Sequence, residues 1–419
     1  MRHFNHDHHI QGHWLPRNDE HLQKWIHDKL GKARQRTSHE YKHPVIQEFR
    51  NLIDNDAELY MGFTQMFAAS VERGPVDDYK KMLAVFDVIL GEAPEFKEST
   101  IVAIPITAIL LGPMNTQAGF NVFSDHRVNV MIKKMLGVWH DFLKSEKSCY
   151  VLSNEDNGWF GAAASAAMPN FSQIFVCDGG APHYGYRSWD HFFTRLFRDG
   201  QRPIEFPDNH AILNNACEST VFRIQTNVKE RDQFWIKGHP YSIVHMLNND
   251  ELAPQFIGGT VYQAFLSALS YHHYHSPVDG TIVKTMLVPG SYYLQAIDAL
   301  DTNQTHIPHS EAPGPAPDLL DRSQDFITQV AARGLIFIRA DNPDIGLMCF
   351  IAVGMVEVSS VEFTVSEGQR VKKGDHMGMF HFGGSTHCLV FRPQTRINFN
   401  PDYPVGTKVP VKAALGYIQ

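Results

Sequence analysis

The sequence predicts an α+β protein: a helical N-terminal domain followed by a β-rich domain that contains a flattened barrel-like unit. Two observations set this order. Between residue 19 and about residue 143, apolar residues recur at spacings of three and four, as in Ile46, Phe49, Leu52 and Ile53, then Met82, Leu83, Phe86, Val88 and Ile89. That is the periodicity of helices with one buried face. From about residue 176 the texture changes to short runs of β-branched and aromatic residues separated by Gly, Pro, Asn and Asp, and residues 221–228, 281–288, 336–340 and 348–358 read as strands. Many short, closely spaced strands after a run of helices describe segregated α and β parts.

Taken in order, residues 1–18 read as a disordered, solvated tail. His6, His9 and His13 fall on one helical face there, so a divalent metal is the competing reading, but Asp7 is the only close carboxylate and no cysteine is near. Residues 19–175 form the helical domain, a non-catalytic cap with breaks at Gly74-Pro75, Ala93-Pro94 and Gly112-Pro113. Residues 176–419 form the β-rich domain, in which the Pro- and Gly-rich stretch 306–317 reads as an exposed loop.

Composition narrows the partners. A chain of 419 residues with 43% hydrophobic and 20% charged residues has material for two packed units. A formal charge of −8 offers no basic field for nucleic acid and little attraction to anionic lipid. Cys149, Cys177, Cys217, Cys349 and Cys388 are odd in number and contain no CxxC pair, which fits a reducing, cytoplasmic setting. The N-terminus has no apolar signal core, and the longest apolar run, 101–112, is interrupted by Pro105. A spanning helix needs roughly 20 residues, so no stable membrane insertion is expected.

Three motifs carry chemistry. In Gly383-Gly384-Ser385-Thr386, glycine before serine removes the Cβ that would block strained backbone angles and the approach of the hydroxyl to the preceding carbonyl; a simple tight turn is the alternative. In YHHYHSPVDG, residues 271–280, an extended backbone puts His273 and His275 on one face and His272 on the other. A general base for a serine, structural histidines and a metal pair all remain open for this cluster. In Asn215-Ala216-Cys217-Glu218-Ser219, Glu218 is a carboxylate just ahead of a strand. It is either a surface residue or the group that orients a histidine in a nucleophile, base and carboxylate triad.

The segment VSEGQRVKKGDHMG, 365–378, places Gly368 and Gly374 at hairpin turns around a short strand, with Gly378 turning the chain into the next. It resembles the flattened barrel of lipoyl and biotinyl carrier domains, without the exposed lysine at a hairpin tip that a carrier requires. The barrel is then scaffold alone.

Four segments, FFTRLFRDGQRPI, KGHPYSIVHML, FIGGTVYQAFLSALSYHHYHSPVDGTIV and VKKGDHMGMFHFGGSTHCLVF, together resemble the phosphatidylserine decarboxylase family, in the family's order and over about half of the chain. The resemblance implies a pyruvoyl-decarboxylase domain whose barrel-like part is the hammerhead unit. It further implies that Ser385 attacks the Gly384 carbonyl, that an N-to-O acyl shift and elimination follow, and that a β chain, 1–384, separates from an α chain, 385–419, beginning with a pyruvoyl group. The two chains stay associated. His275 matches the second histidine of the family's H-x-x-H pair and is the implied base for cleavage; His272 matches the first and is the candidate for proton handling in decarboxylation. Glu218 matches the family's aspartate position, although a one-residue shift would put Cys217 there. The implied cofactor is the pyruvoyl group made from Ser385, with no pyridoxal phosphate and no metal. Its ketone condenses with a substrate amine as a Schiff base and accepts the electrons released with CO2.

Departures from the pattern bear on the substrate. Ser270-Tyr271-His272 replaces the usual Asp-Tyr-His, and Met355-Val356-Glu357-Val358-Ser359-Ser360 replaces a glycine-rich segment. In the N-terminal third, VIQEF and MNTQAGF are similar to the fungal branch related to the L-tryptophan decarboxylase of psilocybin biosynthesis, which is soluble and acts on free aromatic amino acids. The expected function is therefore a self-processing decarboxylase of an aromatic L-amino acid, tryptophan foremost. Phosphatidylserine decarboxylation and a non-catalytic binding protein on the same scaffold are the alternatives.

Overall fold

Helices fill the N-terminal part of the chain. The computed structural model describes residues 19–35, 40–70, 74–96, 104–232, 241–267, 269–295, 323–357, 360–381 and 385–419. The tail 1–18, the loop 306–317 and the Gly383-Gly384 pair lie outside them. The chain divides into two compact units, one of residues 1–171, 177–192 and 291–324, the other of 172–176, 193–290 and 325–419.

The first unit includes the helices α1 (Asp19–Arg34), α2 (Pro44–Asp54), α3 (Ala57–Ala69), α4 (Tyr79–Ile89), α5 (Pro105–Met114), α6 (Gln117–Ser124) and α7 (His126–Lys144). Their spacing in sequence is the burial pattern: Ile46, Phe49 and Ile53 of α2, Phe63 and Met66 of α3, and Leu83 and Phe86 of α4 are all buried. Side-chain oxygens of Asp56, Asp78, Thr116 and Asp125 cap the starts of α3, α4, α6 and α7. The break expected at Gly112-Pro113 falls just inside α5, whose last turn contains Pro113 and ends at Met114. Gly119 then lets α6 start hard against α5, because a Cβ there would strike the Pro113 carbonyl.

The start of α2 is capped from a distance. His43 makes no side-chain cap of its own. The wholly buried Asp87 of α4 accepts the Lys42 and His43 backbone N–H groups, each at 2.8 Å, and lies 2.8 Å from His43 Nδ1. Asp87→Ala removes the acceptor of those partly buried donors, and hydrogen bonds to a charged group contribute about 1.5–3 kcal/mol. The expected outcome is a loss of stability of about 3 kcal/mol, read as a lower melting temperature by calorimetry, whereas a change within 0.5 kcal/mol, the ordinary range for surface substitutions, would contradict this role.

The second unit contains β1 (Ile212–Asn214), β2 (Ser219–Thr226), β3 (Thr260–Leu266), β4 (His273–His275), β5 (Gly280–Val288), β6 (Arg333–Ala340), β7 (Leu347–Gly354), β8 (Ser360–Phe363), β9 (Arg370–Val371), β10 (His376–His381), β11 (Ser385–Phe391), β12 (Ile397–Phe399), β13 (Lys408–Val409) and β14 (Ala414–Ile418). An eight-stranded sheet runs β13-β2-β3-β11-β7-β6-β5-β9, and two three-stranded sheets run β4-β10-β8 and β1-β14-β12. Every residue of β7 and β11 is buried; β7 accordingly reads as a nearly continuous apolar run, whereas β11 opens on the polar Ser385, Thr386 and His387.

The expected flattened barrel takes another form. Gly368 and Gly374 do turn the chain, both at φ +82, but β9 joins the edge of the large sheet while β10 joins a small one, and no closed barrel is present among the described residues. Gly378 is inside β10. A Cβ there would collide with the Tyr274 ring, whose hydroxyl donates to the Glu362 carbonyl at 2.6 Å. Close approach, not a turn, explains this glycine.

Candidate active site

Ser385 opens β11 and is hydrogen-bonded into the sheet on both sides, opposite Leu266 of β3 and Gly354 of β7. It is 1% exposed, and its Oγ has no hydrogen-bond partner among the described residues. A buried hydroxyl left unpaired costs about 1–3 kcal/mol, and such exceptions concentrate where a group reacts. On the same face, two residues on, His387 is also fully buried, with neither ring nitrogen in hydrogen-bond geometry to any of the described residues. Burial drives its pKa down to about 3, against a small upward pull from the Ala264 carbonyl.

The strand period separates the histidines of YHHYH. Tyr271, His273 and His275 share one side, with the Tyr271 ring 4.8 Å from His273 and 5.8 Å from His275. Tyr274 takes the opposite side and packs on Phe350 and Phe380. His272 is wholly buried and stacks on Phe193 at 4.0 Å.

His275 uses both ring nitrogens. Nδ1 lies 2.8 Å from the Gly374 carbonyl and Nε2 lies 3.0 Å from the Tyr271 hydroxyl. A carbonyl only accepts, so Nδ1 carries the proton and Nε2 accepts from the tyrosine. Burial, reinforced by Lys412, holds the imidazole well below its ordinary pKa, so it is neutral. His273 is neutral too, pushed by burial to about 3; Nε2 meets the Thr194 carbonyl at 2.8 Å and Nδ1 meets His376 Nε2 at 2.7 Å.

Glu218 does not meet these histidines. Its carboxylate takes Arg202 in a two-point contact at 2.8 and 3.0 Å, accepts the Val411 N–H at 3.0 Å, and lies 3.5 Å from Lys408 Nζ. Burial pushes its pKa up, but Arg202, Lys408 and that N–H outweigh burial and hold it below the usual value. Cys217 is wholly buried within the core of this unit, which raises its thiol pKa. A stack does connect the two regions: the Arg202 guanidinium covers Phe197 at 4.6 Å, and Phe197 lies 4.3 Å from Tyr271.

Sequence reasoning passed over Tyr271, Arg202 and His387. His387 had a usable signal, since two residues along a strand return to the face of Ser385. Val356, two residues past the Gly354 that faces Ser385, has φ +48, an uncommon conformation for a β-branched residue, and the next residue, Glu357, is buried. Strain of this kind concentrates at functional sites.

A family model described as phosphatidylserine decarboxylase matches residues 189–417, and a second so described matches residues 43–168. The chain belongs to the phosphatidylserine decarboxylase family. It is 44% identical over 324 residues to decarboxylase iboD of Amanita muscaria, covering 75% of this chain and 91% of that protein. It is 37% identical over 402 residues to the L-tryptophan decarboxylase of Psilocybe cyanescens, covering 91% and 88%, and 38% identical over 367 residues to that of Psilocybe cubensis, covering 84% and 81%. It is thus a carboxy-lyase of a pyruvoyl-dependent family, and no helix among the described residues is long and apolar enough to cross a membrane.

The depressed histidines set a pH dependence. His273, His275 and His387 are neutral in the fold, while an unfolded histidine takes up a proton below about 6.5. The unfolded state therefore binds more protons as pH falls; the stabilisation is complete above 6.5 and is lost progressively toward the folded values. For His273 and His387, each near 3, the loss is about 1.4 kcal/mol per pH unit below 6.5. Melting temperature should fall steadily from pH 7 to pH 5. A flat profile over that interval would contradict buried, neutral histidines.

Proposed function

We propose that the protein cleaves itself between Gly384 and Ser385 and then decarboxylates a free aromatic L-amino acid, tryptophan foremost, to its amine and CO2. The observation that carries the reading is a buried serine hydroxyl without a partner among the described residues, at the head of a central strand. Ser385 Oγ adds to the Gly384 carbonyl carbon, the peptide nitrogen leaves, and the chain continues through an ester; elimination across the serine Cα–Cβ then releases the Gly384 carboxylate and leaves dehydroalanine, whose imine tautomer takes up one water and loses ammonia to give the pyruvoyl ketone. His275 is the assigned base and His272 the assigned proton carrier for decarboxylation. Glu218 belongs to the site through Arg202, whose guanidinium it anchors.

The residues present fit a pyruvoyl group, since Ser385 is its precursor and is held buried at the head of β11. That group supplies an electron-accepting carbonyl without pyridoxal phosphate. The cleaved chains stay together on this reading because β11, which begins the α chain, is paired along its length to β3 and β7 of the β chain. Catalysis is assigned to residues 176–419, with 19–175 as a helical cap and a cytoplasmic location.

Support for the substrate comes from the relatives named L-tryptophan decarboxylase, whose similarity extends over as much as 91% of the chain, N-terminal helices included. Ser385→Ala should remove cleavage and all amine formation. Assays with tryptophan, tyrosine, phenylalanine and phosphatidylserine vesicles should give tryptamine at least about tenfold faster than any other product, a discrimination of about 1.4 kcal/mol. Dominant phosphatidylethanolamine formation would move the assignment to the phospholipid.

A further inference from the structure

In a nucleophile, base and carboxylate triad the third group fixes the tautomer and the orientation of the base. Here the carboxylate at the expected position is engaged elsewhere: Glu218 bonds Arg202, Lys408 and the Val411 N–H, and no histidine among the described residues. His275 nevertheless has a defined orientation. Its backbone N–H donates to the Ala216 carbonyl at 2.9 Å, which places the ring, and both ring nitrogens are engaged within hydrogen-bond range.

We infer that Tyr271 is the positioning residue for His275: its buried hydroxyl, with the Gly374 carbonyl, holds the imidazole as the Nδ1–H tautomer with Nε2 as the acceptor. This rests on the assignment of His275 as the processing base.

The tyrosine is built in. It is 4% exposed and stacked among Phe197, His273 and His275. The carbonyl of the preceding Ser270, and that of Leu269, accept the Arg195 guanidinium at 3.1 and 2.6 Å. Glu218 acts on this arrangement at one remove, holding Arg202 over the far face of Phe197. A hydroxyl donated to Nε2 also favours the neutral imidazole, the form a general base needs. The other ionisable groups acting on His275 are Lys412, His376 and His273. All of these disfavour a second positive charge.

The test compares self-processing of wild type, Tyr271→Phe, Glu218→Gln and His275→Gln, following precursor loss by denaturing electrophoresis as a function of pH. Tyr271→Phe should slow processing about tenfold or more, within the range for a group acting on a general base. It should also move the rising limb of the rate profile to higher pH by about half a unit or more, because the donor favouring neutral Nε2 is gone. Glu218→Gln should lower the melting temperature without moving that limb. A Tyr271→Phe protein that processes at the wild-type rate with an unmoved limb, while His275→Gln is blocked, overturns the inference and leaves the base assignment intact. Normal processing by His275→Gln overturns both. A moved limb in Glu218→Gln but not in Tyr271→Phe returns the orienting role to the carboxylate. Should Tyr271→Phe not fold, nitrogen NMR of histidine-labelled wild type decides: His275, identified by its absence in His275→Gln, must be the Nδ1–H tautomer near pH 7, and an Nε2–H tautomer overturns the inference.

Discussion

The structure depends on one strand that water cannot reach. β11 is hydrogen-bonded on both sides, to β3 and to β7, and all its residues are buried. This fixes Ser385 in a low-dielectric setting, where an unsatisfied hydroxyl is costly and where interactions with developing charge are strong. It also places the segment beginning at Ser385 at the centre of a sheet, so on the proposed reading the strand would stay paired after the bond before it is cut. A reactive serine on an edge strand or a mobile tip would have neither property.

The β4 histidines make neutral, directed contacts. His273 and His275 each present one nitrogen to a backbone carbonyl and the other to a side chain, which settles their tautomers and leaves no buried imidazolium to stabilise. The buried carboxylate of Glu218 is matched at two points by Arg202, the geometry in which a buried carboxylate is best compensated. Catalytic orientation and electrostatic compensation are thereby divided between different residues, joined by the Phe197 and Tyr271 rings.

Parts of this were legible in the sequence, and the reasons are physical. A helix packed on one side must repeat its apolar residues every three or four positions, so α2 and α4 declared themselves through Ile46, Phe49 and Ile53 and through Met82, Leu83 and Phe86. A strand covered on both faces favours apolar residues throughout, so the region of β7 could be found, although its end at Gly354 and the strain at Val356 could not. The family motifs pointed to Ser385, His275 and His272 because their order along the chain is specific. What stayed hidden depends on contacts between distant segments: Asp87 capping a helix 44 residues earlier, or Arg202 finding Glu218 at a separation of 16 residues, with β1 between them. Gly378 misled because a glycine that admits a neighbouring ring and a glycine that makes a turn look the same in one dimension. Tyr271 was in plain view, but only the stacking of alternate residues on β4 shows that its hydroxyl belongs to His275.

The central claim is that Ser385 becomes a carbonyl cofactor by cutting the chain that contains it. Intact-mass analysis of the purified wild-type protein under denaturing conditions tests this directly. The account predicts two species, residues 1–384 with a free carboxylate and residues 385–419 with a blocked N-terminus that reacts with a carbonyl reagent. A single species of 47.5 kDa from a preparation that releases CO2 from its substrate would contradict it.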